Sequence, residues 1–205
     1  IVSKVGYVQG QALTLAQQRE QRNSAFPEMV KYADGCWHCI HPEFLADQIG
    51  RSLGRLRVEK VDVYLLHNPE YFFMDAAKRR KEATLEALRD EFYDRIRRAF
   101  SHLEEEVQRG RIGFYGVSSN TLALPAGDPT ATSLERMCTI ADEIVREHHF
   151  AVVQLPANLF ESGAGSKINL SVTPEGQAVG RISSLETALV RDPVVTQSSV
   201  YDGLF

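Results

Sequence analysis

Val61-Asp62-Val63-Tyr64-Leu65-Leu66-His67-Asn68-Pro69-Glu70 is the stretch whose reading decides the fold. Its β-branched and aromatic residues, with little polar interruption, predict a buried strand over Val61–Leu66. The run stops at His67-Asn68-Pro69, because proline cannot donate to a ladder and drives Asn68 away from helical geometry. A buried strand that ends this way places the His67 imidazole at the rim of a sheet.

Working outward, helices flank this strand. Pro42 opens a helix whose Phe44, Leu45, Ile49, Leu53 and Leu56 recur three or four residues apart. Leu85, Leu88, Phe92, Ile96, Ala99, Phe100, Leu103 and Val107 predict a long helix closed at Gly110. Ile112–Val117 reads as the next strand, ending in Ser118-Ser119-Asn120. Ser133 can cap a helix with Leu134, Met137, Ile140, Ala141, Ile144 and Val145 on one face. Phe150–Leu155 is a further strand, stopped by Pro156. Ile1–Val5 is a strand at the beginning, carrying Lys4. Amphipathic helices between apolar strands predict crossover units and a parallel sheet. In a barrel built this way, chemistry sits at the carboxyl rim of the strands.

The remaining segments carry weaker signals. Gln11–Asn23 predicts a short surface helix, and Pro27 a helical turn running to Tyr32. Gly163–Gly176 reads as a loop, Leu185–Val190 as a short helix, and Pro193–Thr196 as a fifth strand. No repeat or linker divides the chain, so residues 1–205 form one domain.

With 205 residues, 43% hydrophobic and 24% charged, the chain has the composition of an ordinary globular protein. Its net charge of −4 gives no electrostatic case for nucleic acid. No apolar run approaches the roughly 20 residues that span a bilayer, and no secretory signal pattern opens the chain. Three cysteines, Cys36, Cys39 and Cys138, do not make a disulfide framework and favour a reducing, cytoplasmic setting. The chain opens on Ile1, inside a strand pattern, which predicts either an upstream segment removed or a fragment. Cys36, His38, Cys39 and His41 lie within six residues. Zinc sites separate their ligand halves by a longer loop, so this cluster predicts a loop beside the pocket and no metal. Lys78-Arg79-Arg80-Lys81 is read as a solvated face at the front of an acidic helix.

Four strand ends carry a resemblance: Ser3-Lys4-Val5, Tyr64-Leu65-Leu66-His67-Asn68-Pro69-Glu70, Tyr115-Gly116-Val117-Ser118-Ser119-Asn120 and Val153-Gln154-Leu155-Pro156-Ala157-Asn158. In this order they resemble the aldo-keto reductases over residues 1–161, with residues 162–205 divergent. The resemblance implies an α/β fold, an incomplete (β/α)8 TIM barrel, and reduction of a small-molecule aldehyde or ketone by NAD(P)H. The implied cofactor is NADP(H). Lys4 and His67 match the family's catalytic lysine and histidine. Ser118, Ser119, Asn120 and Gln154 match residues that bind the nicotinamide carboxamide.

The chemistry has a physical rationale. A tyrosine titrates near pH 10, so a neighbouring lysine is needed to bring proton transfer toward neutrality. A neutral histidine can orient a carbonyl oxygen. The sequence also departs from the family. The family's aspartate and tyrosine, which lie upstream of the lysine strand, match no residue here. An extra serine separates Ser118 from Asn120, so either Ser119 or Asn120 meets the carboxamide. Arg191–Phe205 does not match the family's last strand ends, which grip the adenosine phosphate. Two functions stay open: an NAD(P)H-dependent reductase or a fragment of one, and a catalytically inactive barrel-derived binding or scaffold protein. Open sheet edges predict self-association.

Overall fold

The computed structural model describes residues 1–156, 170–171, 181–182 and 194–198. Strand β1 (Val2–Val5) and the short β2 (Tyr7–Val8) lead into helix α1 (Gly10–Gln21). Strands β3 (Val30–Ala33) and β4 (Cys36–His38) follow, then α2 (Pro42–Leu56), β5 (Val61–His67), α3 (Tyr71–Arg79) and α4 (Leu85–Gln108). Next come β6 (Ile112–Ser118), α5 (Leu134–Ile144) and β7 (Phe150–Pro156). Strands β8 (Leu170–Ser171), β9 (Arg181–Ile182) and β10 (Val194–Ser198) complete the described elements.

The main sheet has the order β1-β5-β6-β7-β10, with every pair parallel. Neighbours in space follow chain order, as in a barrel that is only partly closed. The parallel strands and alternating helices expected from the periodicity are all present, and β10 lies where the fifth strand was expected. Strands β2, β4 and β3 form a separate antiparallel ribbon.

The register separates two faces. Tyr64, Leu66, Tyr115, Val117, Val153 and Leu155 belong to the hydrophobic core beneath the helices. Their alternation partners lie on the opposite face: Leu65 is paired with Gly116 and Gly116 with Val152, while His67 is paired with Ser118 and Ser118 with Gln154. Helix α4 fills the core face. Its Leu88, Phe92, Ile96, Ala99, Phe100 and Leu103 are buried at helical spacing. The Phe100 ring lies 5.0 Å from Tyr115 and 4.9 Å from Phe150. Thr84 accepts from Ala87 N–H at the start of α4, and Gly110, at φ +72, ends it in the left-handed conformation.

Several expectations need correction. Pro27 does not open a helical turn: the chain enters β3 at Val30 and reverses at Asp34-Gly35 into β4. Cys36–His38 is therefore a strand, not a loop. Helix α3 was not expected. Lys78 and Arg79 close it and Arg80 and Lys81 lead toward α4, so the basic run is exposed at the front of the acidic helix as expected, with Arg80 paired to Glu91 of α4. Its Arg79 pairs with Asp75 within α3. The apolar face of α2 stops at Leu53, since Leu56 is 46% exposed. The expected helix Leu185–Val190 and most of the loop Gly163–Gly176 lie outside the described residues.

Close approach of strands fixes one glycine. A Cβ on Gly116 would lie 1.8 Å from the Val152 carbonyl oxygen, whereas one on Gly50, exposed in α2, meets nothing within 4 Å. Gly116→Ala is expected to destabilise the chain by about 2–3 kcal/mol. Gly50→Ala is expected to stabilise it by about 0.5–1 kcal/mol. Urea unfolding of the two variants checks both signs.

Candidate functional site

The site forms where three parallel strands end together. His67 closes β5, Ser118 closes β6, and Gln154 lies near the end of β7, all in one register row. Backbone bonds fix the row beyond the strands: Asn68 N–H donates to the Ser118 carbonyl at 2.7 Å, and Ser119 N–H to the Gln154 carbonyl at 2.9 Å. Asn68 sits at φ +48, a left-handed conformation that asparagine tolerates better than most residues, and so turns the chain out of β5. Ser118 Oγ donates to Gln154 Oε1 at 2.8 Å. That bond orients the Gln154 side chain and leaves its amide N–H groups as donors.

Beside His67 stands an aromatic group the sequence reading did not assemble. The Tyr7 ring packs edge-on at 4.7 Å from the His67 ring. Its hydroxyl donates to Tyr71 Oη at 2.9 Å and accepts from Asn68 Nδ2 at 2.8 Å. Tyr71 stacks on Tyr32 with ring centres 4.4 Å apart. Burial raises the Tyr7 phenol, so it keeps its proton at neutral pH.

His38 of β4 is buried, and its Nε2 lies 2.7 Å from the His67 carbonyl oxygen. A carbonyl only accepts, so Nε2 carries the proton. Burial pushes the His38 imidazole down to about 4, which keeps it neutral. The other members of the Cys36–His41 cluster have separate partners. Cys39 Sγ donates to the Pro27 carbonyl, Cys36 Sγ accepts from Gln9, and His41 Nδ1 accepts from Glu43 N–H to cap α2.

Lys4 pairs in register with Leu65, one side-chain step below His67 on the same face. It is exposed and lines a cleft of about 750 Å³ together with Tyr7, Gln9, Arg51, Arg55 and His67. The structure thus brings Lys4 and His67 to one cleft and joins His67, Ser118 and Gln154 in one row. It separates the two residues left as alternatives for the carboxamide. Ser119 is buried, with its hydroxyl among those of Thr121 and Thr132, while Asn120 is exposed at the rim.

Glu70 follows the end of β5, and the sequence pattern marks no role for it. It is only 1% exposed, at the start of α3. Its Oε1 accepts from Asn120 N–H at 2.9 Å. Burial pushes the carboxyl up to about 7, against the Ser119 hydroxyl and the Glu70, Asn120 and Thr121 N–H groups, which favour the charged form.

The model of the Aldo/keto reductase family matches residues 10–164. His67, Ser118, Ser119, Asn120 and Gln154 fall inside the match, and Lys4 falls before it. Solved structures similar to the chain include a glycerol dehydrogenase from Gluconobacter oxydans, 23% identical, with a TM-score of 0.46 over 79% of this chain and 33% of that one. A putative aldo-keto reductase from Pseudomonas aeruginosa is 14% identical, with a TM-score of 0.46 over 96% of this chain and 48% of that one. An aldo-keto reductase from Bacillus halodurans is 18% identical, with a TM-score of 0.38 over 93% of this chain and 52% of that one. The chain spans between a third and about half of their lengths. No curated protein matches it.

Because the folded Glu70 carboxyl titrates near 7 and its ordinary value is 4.5, the folded chain holds a proton that the unfolded chain has lost between these values. Stability from this group is therefore greatest below pH 4.5 and falls as pH rises to 7. Glu70→Gln abolishes that fall. Relative to the original chain, the variant should gain about 2–3 kcal/mol between pH 4.5 and pH 7. Urea unfolding across this range checks the difference.

Proposed function

The chain belongs to the aldo/keto reductase family, and from that membership we propose that it forms part of an NAD(P)H-dependent oxidoreductase acting on a small-molecule aldehyde or ketone. The observation that carries the proposal is the row of His67, Ser118 and Gln154 at the carboxyl ends of adjacent parallel strands. A flat carboxamide needs donors and acceptors fixed in one plane. The Gln154 amide, held by Ser118, offers such donors, and the exposed Asn120 side chain adds both kinds of group. Of the two alternatives, Asn120 is therefore assigned to the carboxamide in preference to Ser119. NADP(H) is the proposed cofactor, and when bound it supplies the hydride.

The remaining residues act on the substrate. His67 orients the carbonyl oxygen, and Lys4 places a positive charge in the same cleft. His38 holds the His67 backbone, which fixes where the imidazole begins. Three free thiols support a cytoplasmic setting. The edge of β1 away from β5 has no strand partner among the described residues, which supports self-association along it.

One observation favours the second reading, a catalytically inactive barrel-derived binding or scaffold protein. The phenol beside His67, Tyr7, is shifted upward by burial, opposite to the shift an acid needs to work near neutrality. The two readings differ in turnover.

Titration with NADPH, followed by cofactor fluorescence, is expected to saturate. Gln154→Ala should weaken binding about tenfold, the loss of one or two hydrogen bonds. Absence of saturable binding would overturn the proposal. If the chain turns over a carbonyl substrate, His67→Ala should lower kcat about a hundredfold with cofactor affinity unchanged. Absence of turnover alongside tight binding would select the second reading.

A further inference from the structure

We propose that Glu70 is a positioning residue that aims Asn120 at the nicotinamide carboxamide by holding the Asn120 peptide from behind. This rests on the reading of Ser118, Asn120 and Gln154 as the carboxamide site.

The geometry has three parts. First, Glu70 stands at the start of α3, fifty positions before Asn120 in the sequence, and its Oε1 reaches the Asn120 N–H at 2.9 Å. The bond joins the exit of β5 to the exit of β6, the strand ends that carry His67 and Ser118. Second, three consecutive residues of this loop are tied to two anchors. Ser118 Oγ goes to Gln154, Ser119 N–H to the Gln154 carbonyl, and Asn120 N–H to Glu70. The Ser119 and Thr121 hydroxyls go to each other and to Thr132. Those hydroxyls fix the buried side of the loop, and Glu70 fixes the peptide from which the exposed Asn120 side chain projects. Third, the acid is costly where it stands. Glu70 is only 1% exposed, so its carboxyl gives up hydration for the few backbone and hydroxyl groups that face it. A carboxyl that served only to fill space would be replaced at lower cost by an apolar side chain. Here it satisfies a backbone donor that a hydrocarbon would leave unpaired.

The role is distinct from cofactor contact. Glu70 touches loop backbone, and its effect on a ligand is confined to the part of the ligand that Asn120 meets. A cofactor fragment without nicotinamide should not sense it.

Amide hydrogen exchange and ligand binding together test this. In Glu70→Ala, exchange at Asn120 should quicken about tenfold or more, with Tyr115 and Val117 in β6 unchanged. NADPH should bind about tenfold more weakly, while 2′-phospho-ADP-ribose, which lacks the nicotinamide, binds within about twofold of the original chain. Glu70→Gln, which keeps the side-chain shape and one carbonyl oxygen, should recover most of both effects, and it is the variant to read if Glu70→Ala does not fold. Unchanged Asn120 exchange would overturn the proposal, as would equal weakening of both ligands. Failure of the original chain to bind NADPH would sink the cofactor reading and with it the aiming role. Exchange at Asn120 would then still show whether Glu70 holds the loop.

Discussion

Parallel pairing of β5, β6 and β7 in a single register is the constraint on which the rest of the structure depends. Side chains alternate across a strand with a period of two, so a slip of one residue would exchange the two faces. Tyr64, Leu66, Tyr115, Val117, Val153 and Leu155 would then leave the helices. His67, Ser118 and Gln154 would leave their common row. The apolar burial that locks the core thus also aligns the polar rim. Gly116 shows how tight that lock is, because it leaves no room for even a methyl group against Val152.

Elements were legible in the sequence where one face had to be buried over several turns or strand steps. Strands β5, β6 and β7 and helices α2, α4 and α5 follow from apolar spacing, and several of the helix ends from Pro42, Ser133 and Gly110. Ribbon β3–β4 was not legible. Its strands are four and three residues long, too short for alternation to show, and Pro27 offers the same signal before a turn as before a helix. Helix α3 was hidden by the density of Tyr71-Phe72-Phe73-Met74, which is apolar without a clear period, and by the lack of a side-chain cap at Glu70.

The candidate site was half legible for a related reason. His67, Ser118, Asn120 and Gln154 stand at strand ends that sequence can place. Lys4 was placed by its strand, whereas the cleft it shares with His67 arises from the packing of β1 and β5 against α2. Tyr7 and His38 reach the site from the ribbon, so they became visible only with the ribbon's true shape. The close run of Cys36, His38, Cys39 and His41 did signal something, but each side chain serves a different partner. Glu70 carries no mark in the sequence that separates a buried acid from a solvated one. Its burial follows from the meeting of β5, α3 and the loop after β6.

His38 and Glu70 have opposed consequences for protons. At pH 5.5 an unfolded histidine, with its ordinary value of 6.5, is mostly charged, while folded His38, near 4, is neutral. At the same pH an unfolded glutamate, with its ordinary value of 4.5, is mostly ionised, while folded Glu70, near 7, is neutral. Folding therefore releases one proton at the ribbon and takes one up at the loop. The exchange with solvent from these two groups is close to zero, and their contributions to the pH dependence of stability oppose each other. Two uncharged side chains then flank the strand ends in mildly acidic solution. The field at the cleft is left to Lys4, Arg51 and Arg55 and to whatever charge a bound ligand brings.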